Sequence, residues 1–301
     1  LLIQLFRAIT DAVAPGTVII TETNVPHKDN ISYFGDGENE AQMVYQFSLP
    51  PLVLHAVHRQ DVKALCQWAG SLALPSSHTT WFNFLASHDG IGLNPLRGIL
   101  PESEILSLVE NLQQEGALVN WKNNPDGTRS PYEINVTYLD ALSLQDSSDE
   151  ERIARFLLAH AVLLSFPGVP AVYIQSILGS RNDYEGVERL GYNRAINRKK
   201  YTAGQLDSEL NNKKSIRYQI YSRLSEFIAI RRGERAFHPD SQAVFDAVGK
   251  QILKIIRVAE NGERITALFN FSNKMQTVYE QTLSGKELLS GQDISEIGRA
   301  S

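Results

Sequence analysis

Apolar positions at the start of the chain fall at helical spacing. Leu1, Leu2, Leu5, Phe6, Ile9 and Val13 share one face, and Pro15-Gly16 then gives a stop signal. A short β-branched run, 17–22, predicts a strand closed by Glu22. A polar, Gly-containing stretch over 24–40 leads to a second strand, 43–47. Pro50-Pro51 then precede a helix over 52–69, since Pro in the first turn forfeits no hydrogen bond. The third strand opens the run 79–92. It begins apolar and aromatic (Trp81, Phe82, Phe84), as a strand buried on both faces does, and breaks into His88-Asp89-Gly90-Ile91-Gly92. Glycines there let the backbone turn sharply and let a ligand come close. Helix, strand, helix, strand with short connections predicts a parallel sheet with covering helices.

An insertion follows. Residues 101–114 read as a helix ahead of Gly116, and 117–121 and 128–135 flank the turn Asn124-Pro125-Asp126-Gly127, predicting a hairpin over the mouth of the sheet. Ser147-Ser148-Asp149-Glu150-Glu151 caps a long helix over 150–166 whose acidic first turn suits its dipole. Pro167-Gly168 stops it, and 169–174 form a fourth strand. A polar loop, 179–204, is rich in Arg and Asn, and 215–232 form the last helix of the set. After Gly233 the helical pattern ends. Residues 251–258 and 264–271 flank Asn261-Gly262, a two-residue hairpin signal. The expected division is therefore an α/β unit over 1–233 and a small antiparallel β-domain over 234–301.

Composition narrows the function. The 301 residues carry a net charge of -5, with 43% hydrophobic and 21% charged residues, an ordinary soluble mixture. No basic stripe is present to track a nucleic-acid backbone, and no apolar run reaches membrane-spanning length. The single cysteine, Cys66, excludes a disulfide framework within the chain and favours a reducing, cytoplasmic setting. His27, His55 and His58 are scattered and read as surface or helix-face residues. Neither metal-ligand spacing nor a Gly-rich phosphate loop is visible, so no metal and no cofactor are expected. The first residues lack Met and the charged start of a signal peptide, and they read as the inside of a helix belonging to a longer protein.

Two carboxylates stand where predicted parallel strands end, Glu22 and Asp89. In a β/α barrel that end carries the chemistry. Carboxylates facing each other across a pocket are the equipment of glycoside cleavage, one protonated to assist the leaving group and others ionised to attack or to steady an oxocarbenium-like centre. Asp89 reads equally well as the cap of the next segment, and Glu22 as a loop-facing charge.

Thr21-Glu22-Thr23-Asn24, the run from Phe84 through His88-Asp89-Gly90-Ile91-Gly92, Phe166-Pro167-Gly168-Val169-Pro170 with Ala171-Val172-Tyr173-Ile174, and Arg194-Ala195-Ile196-Asn197-Arg198 resemble the α-amylase superfamily, glycoside hydrolase family 13, and within it the sucrose phosphorylase branch. The resemblance implies a (β/α)8 barrel, here its C-terminal half with strands five to eight, followed by a β-domain. It implies a retaining mechanism in which Glu22 is the acid/base and Asp89 the transition-state stabiliser. It further implies substrate binding by His88, Arg194, Tyr132 and Glu133, with a small sugar and phosphate as partners. The nucleophile belongs to a strand preceding Leu1, so none is expected in this chain and the fragment is expected to be inactive. Pro131-Tyr132-Glu133 departs from the Leu-Tyr-Gln of sucrose-specific members; with Glu22-Thr23-Asn24-Val25-Pro26 it is closer to the branch acting on glucosylglycerate. A Glu at 133 would repel phosphate or an acidic acceptor unless a cation pairs it. Hydrolysis or transglycosylation by the same carboxylates is the alternative activity, and a non-catalytic sugar-binding or assembly half-barrel the alternative class. Cut barrel edges predict self-association, or instability, of the fragment.

Overall fold

The computed structural model describes residues 1–144, 147–279, 284–294 and 299–300. The expected β-domain also runs over 280–283, 295–298 and 301, which lie outside the described residues. The first elements are α1 (Leu2–Val13), β1 (Ile20–Thr21), β2 (Met43–Tyr45), α2 (Leu49–Arg59), α3 (Lys63–Gly70) and β3 (Thr80–Asn83). Then come β4 (Ile91–Gly92), α4 (Glu102–Gln114), β5 (Leu118–Asn123), β6 (Arg129–Asn135), α5 (Asp149–Ser165) and β7 (Val169–Pro170). The chain continues through α6 (Tyr184–Leu190), α7 (Ala203–Leu210), α8 (Ile216–Gly233), β8 (Gln242–Val248), β9 (Ile252–Val258) and β10 (Arg264–Asn270), with shorter turns and strand pairs between and after them.

Strands β1, β2, β3 and β7 lie side by side in that order, all parallel. Val44 is in register with Trp81, and Tyr45 with Phe82. Alternation sends Val44 and Trp81 into a cluster with Phe34 and Ala41. On the opposite face the rings of Tyr45 and Phe82 stack at 4.5 Å, joined by Phe47 and Phe84, with Phe84 buried and the other three partly buried. Helices cover one face and aromatic rings line the other, which is the layout of half a (β/α)8 barrel. The main core is built from α2, buried over most of its length, with α3, α4 and α5.

The antiparallel sheet β10-β9-β8 rests on this unit, β8 against α3 and β10 against α5. Arg257, fully buried, donates to the carbonyls of Ser165, His238 and Ser241 at 3.0, 2.7 and 3.2 Å. Arg231 of α8 donates to Leu164 and Gly168. Two guanidiniums thus satisfy the carbonyls at the end of α5. Burial lowers both to a pKa of about 10, so both stay charged at neutral pH.

Several expected elements differ in extent. The 52–69 helix is two, α2 and α3, broken where Gln60 takes a left-handed conformation (φ 49°) and Asp61 accepts the Lys63 N–H at 3.0 Å. The fourth strand keeps only β7, because 174–177 coil into a helical turn. Inside the 179–204 loop lie α6 and a 3-10 helix, Asn193–Asn197. Strand β4 pairs with β6 and makes the hairpin a three-stranded sheet. At Asn261-Gly262 the Ala259 N–H donates to the Glu263 carbonyl at 2.9 Å, leaving a three-residue loop with Gly262 at φ 84°. Of the histidines expected on the surface or on helix faces, His55 and His58 lie on α2 and His27 in a short helical turn, each at least partly covered. His55 is buried beside Glu104 at 3.2 Å, His58 bonds the Ala141 carbonyl at 2.8 Å, and the His27 ring lies against Trp68 and Trp81. No described helix is long and apolar enough to cross a membrane.

Candidate active site

Beyond β3 the chain makes a tight turn in which the Asp89 N–H donates to Ser87 Oγ at 3.1 Å. Gly90 is there for room. A Cβ would sit 2.9 Å from the Ile134 carbonyl and 3.0 Å from Glu133 Cδ, and one at Gly92 would sit 2.6 Å from Asn24 Oδ1. A side chain at either position would therefore run into β6 or the Asn24 side chain.

The 3-10 helix Asn193–Asn197 clamps this turn. Asn197 Nδ2 donates to the carbonyls of Ser87 and Asp89 at 3.2 and 2.9 Å, and Arg198 Nε to that of His88 at 2.6 Å. Arg194 Nη1 and Arg198 Nη2 both reach Asp89 Oδ1, at 2.6 and 3.2 Å, with His88 Nε2 3.5 Å away. These partners all meet Oδ1, and among the described residues none bonds Oδ2. Asp89 is thus an ion-paired carboxylate and not a helix cap.

Glu133 is only 2% exposed, and its charge is fully engaged. Arg194 Nε and Nη2 take its two oxygens at 2.9 Å each, and Asn120 Nδ2 on β5 adds a bond of 2.7 Å. Asn193 Nδ2 holds Asn120 Oδ1 at 2.7 Å. The bidentate fork fixes the guanidinium plane. It is the largest cause of the rise in Arg194's pKa, with burial opposing and Asp89 adding to it. Tyr132 is half-buried; its carbonyl accepts the Leu93 N–H at 3.0 Å and its phenol acts on the charge of Arg194. Tyr173 donates to the Asn197 carbonyl at 3.2 Å, and burial raises its pKa.

Glu22 stands apart. It is exposed just past β1, and its charge is felt by Tyr45 of β2. Strand β1 lies two strand spacings from β3, about 10 Å. Asn94 Nδ2 donates to the Asn24 carbonyl at 3.1 Å and ties the β1 loop to the segment after β4. The structure therefore joins Asp89, His88, Arg194 and Glu133, sets Tyr132 beside them, and leaves Glu22 at the same end of the sheet without a bond to the group. Sequence reasoning missed Arg198, Asn197, Asn193 and Asn120. The pair Arg194 and Arg198, one helical turn apart around Asn197, was a readable signal. Asn120 had none.

No family model matches the chain. It is 68% identical over 294 residues to a glucosylglycerate phosphorylase of Escherichia coli strain K12, across 98% of this chain and 53% of that protein. It is 43% identical over 294 residues to a glucosylglycerate phosphorylase of Allomeiothermus silvanus, across 97% of this chain and 52% of that protein. Among solved structures, a sucrose 6F-phosphate phosphorylase from Thermoanaerobacter thermosaccharolyticum superimposes with a TM-score of 0.75 at 21% identity, across 98% of this chain and 55% of that one. The chain spans about half the length of the curated relatives it matches.

Proposed function

We propose that the chain belongs to the sucrose and glucosylglycerate phosphorylase branch of glycoside hydrolase family 13 and that it supplies the acid/base and stabiliser part of a retaining α-glucoside phosphorylase. Glucosylglycerate is the substrate favoured by the 68% identical relative, with phosphate as the glucosyl acceptor. The observation that carries the reading is Asp89 with one oxygen held by two arginines and the other without a hydrogen-bond partner among the described residues, in a side chain 29% exposed. A carboxylate held in this position sets negative charge beside the place where a positively charged glucosyl centre develops. His88 and Arg194 hold sugar hydroxyls beside it. Glu22, in its exposed place, protonates the departing glycerate oxygen and later takes the proton of the attacking phosphate. Glu133 was expected to bind the acceptor; we assign it instead to orienting Arg194. No residue of this chain is assigned as nucleophile, so the covalent glucosyl intermediate draws on a carboxylate from outside these 301 residues. The same reading keeps the division at 233/234, places the protein in the cytoplasm with Cys66 reduced, and has the isolated chain self-associate.

The test supplies glucosylglycerate and phosphate to this chain alone, and to the chain refolded with the complementary half of the Escherichia coli relative. We expect no glucose 1-phosphate from the chain alone and phosphate-dependent glucose 1-phosphate after reconstitution. Glucose released without phosphate would move the assignment to a hydrolase, and turnover by the chain alone would overturn the missing-nucleophile reading.

A further inference from the structure

Positive charge around Asp89 is balanced, since Arg194 and Arg198 face Glu133 and Asp89. One residue further on it is not. Lys199 and Lys200 line a cavity of about 340 Å³ together with Arg181, Tyr201, Gln205 and Arg217. Arg181 is paired with Asp140, and Arg217 Nε with Glu209, itself on the wall, at 2.8 Å. Neither lysine ammonium has a carboxylate partner among the described residues. The walls therefore hold four cations against one carboxylate in a chain whose net charge is -5, so the cavity does not sample a generally basic surface.

The cavity is also built rather than loose. The Arg217 guanidinium lies 4.4 Å from the centre of the Tyr201 ring, the Lys199 ammonium lies 6.0 Å from it, and the Arg217 side chain is 7% exposed. Arg217 Nε and Nη1 are engaged by Glu209 and the Leu178 carbonyl, so the guanidinium and ring form a fixed, positively charged floor while the two flexible ammoniums on the rim supply free point charges for a compact dianion. Its volume is at the lower end of small-ligand sites, roughly 300–1,000 Å³.

We propose that this cavity is an anion site for inorganic phosphate or the phosphate group of a monosaccharide monoester, held between Lys199, Lys200 and the guanidiniums of Arg181 and Arg217. The proposal needs no turnover, so it stands or falls separately from the phosphorylase reading.

The experiment titrates the chain at low salt with inorganic phosphate, with glucose 1-phosphate and with neutral glucose, following heat release and backbone amide shifts. We expect saturable binding of phosphate and of glucose 1-phosphate with amide shifts over 199–205, and no shift there with glucose. Tighter glucose 1-phosphate identifies a monoester as the ligand, and equal affinity identifies phosphate itself. Lys199→Ala with Lys200→Ala should weaken phosphate roughly tenfold, and Lys200→Ala alone by a smaller factor. Lys213→Ala with Lys214→Ala, exposed and outside the cavity, should leave affinity unchanged. Equal losses in the two lysine pairs would reduce the effect to net charge and overturn the site. So would phosphate binding that survives the Lys199/Lys200 change but is lost in Arg194→Lys, or the absence of saturable binding.

Discussion

A carboxylate as covered as Glu133 is tolerated only with a cation, and Arg194 is that cation. Removing one partner of a buried pair costs about 3–5 kcal/mol, but the Arg194 side chain is 36% exposed and water would screen it. Glu133→Ala should therefore lower stability by about 2 kcal/mol in urea unfolding, with Glu133→Gln losing less because its amide oxygen still accepts. Arg194 would also lose its set orientation, so in the reconstituted enzyme the change should fall on kcat more than on KM. A second residue answers to pH. His160 is buried, its Nδ1 bonded to the Phe156 carbonyl at 2.8 Å, and burial lowers its pKa to about 4. The unfolded chain, titrating near 6.5, binds the proton more readily. Stability is therefore fully present above about pH 6.5 and is lost as pH falls toward 4, by about 3 kcal/mol for this group. His160→Gln should flatten that acid limb in melting curves taken across the range. Asp89 and Arg194 were legible because their residue types and runs carry the resemblance. The role of Glu133 was legible only as a condition, that some cation pair it, because the partner lies 61 positions away and local pattern does not encode such a distance.

At the scale of elements, the run Phe166-Pro167-Gly168-Val169-Pro170 places the end of α5 against the sheet. Gly168 has φ 103°, and a Cβ there would come 2.6 Å from the Trp81 carbonyl, a backbone atom that cannot swing aside. Gly168→Ala should cost about 3 kcal/mol or more, through left-handed strain and overpacking together, with Gly233→Ala, which meets open space, as the neutral comparison in the same calorimetric series. Helices were the legible elements, since α1, α4, α5 and α8 each carry a sustained period and a start or stop residue. The break between α2 and α3 was not, because it falls on Gln60 without a glycine or proline to mark it. The sheet strands were overestimated in length for a physical reason. A β-branched apolar run shows that a segment is buried but not how many of its residues pair with a neighbour, and only two do in β1 and in β7.

At the scale of the molecule, two surfaces lack a covering partner among the described residues. The parallel sheet ends at β1 and β7, whose outer sides lack a partner strand among the described residues, as expected of half a barrel. Those edges are two residues long, and short edges are poor templates for pairing. The apolar face of α1 is larger: Leu2, Leu5, Phe6, Ile9 and Val13 are each about half exposed or more, and Ile20 of β1 adds to them. A row of this kind is more than scattered surface apolarity. Association should therefore run through α1 rather than through the strand edges first expected to carry it. Light scattering over a concentration series should show a mass rising above that of one chain. Leu5→Glu with Ile9→Glu should weaken association roughly a hundredfold, from about 1.5 kcal/mol for each apolar side chain left in water. Ile20→Lys, at the β1 edge, should leave most of it in place. If Ile20→Lys abolished association and the α1 changes did not, the strand edge would be the contact. A monodisperse chain at every concentration would mean that neither surface binds, and the exposed helix would then be tolerated because the net charge of -5 keeps copies apart, an account that raised salt, by screening that charge, would test directly.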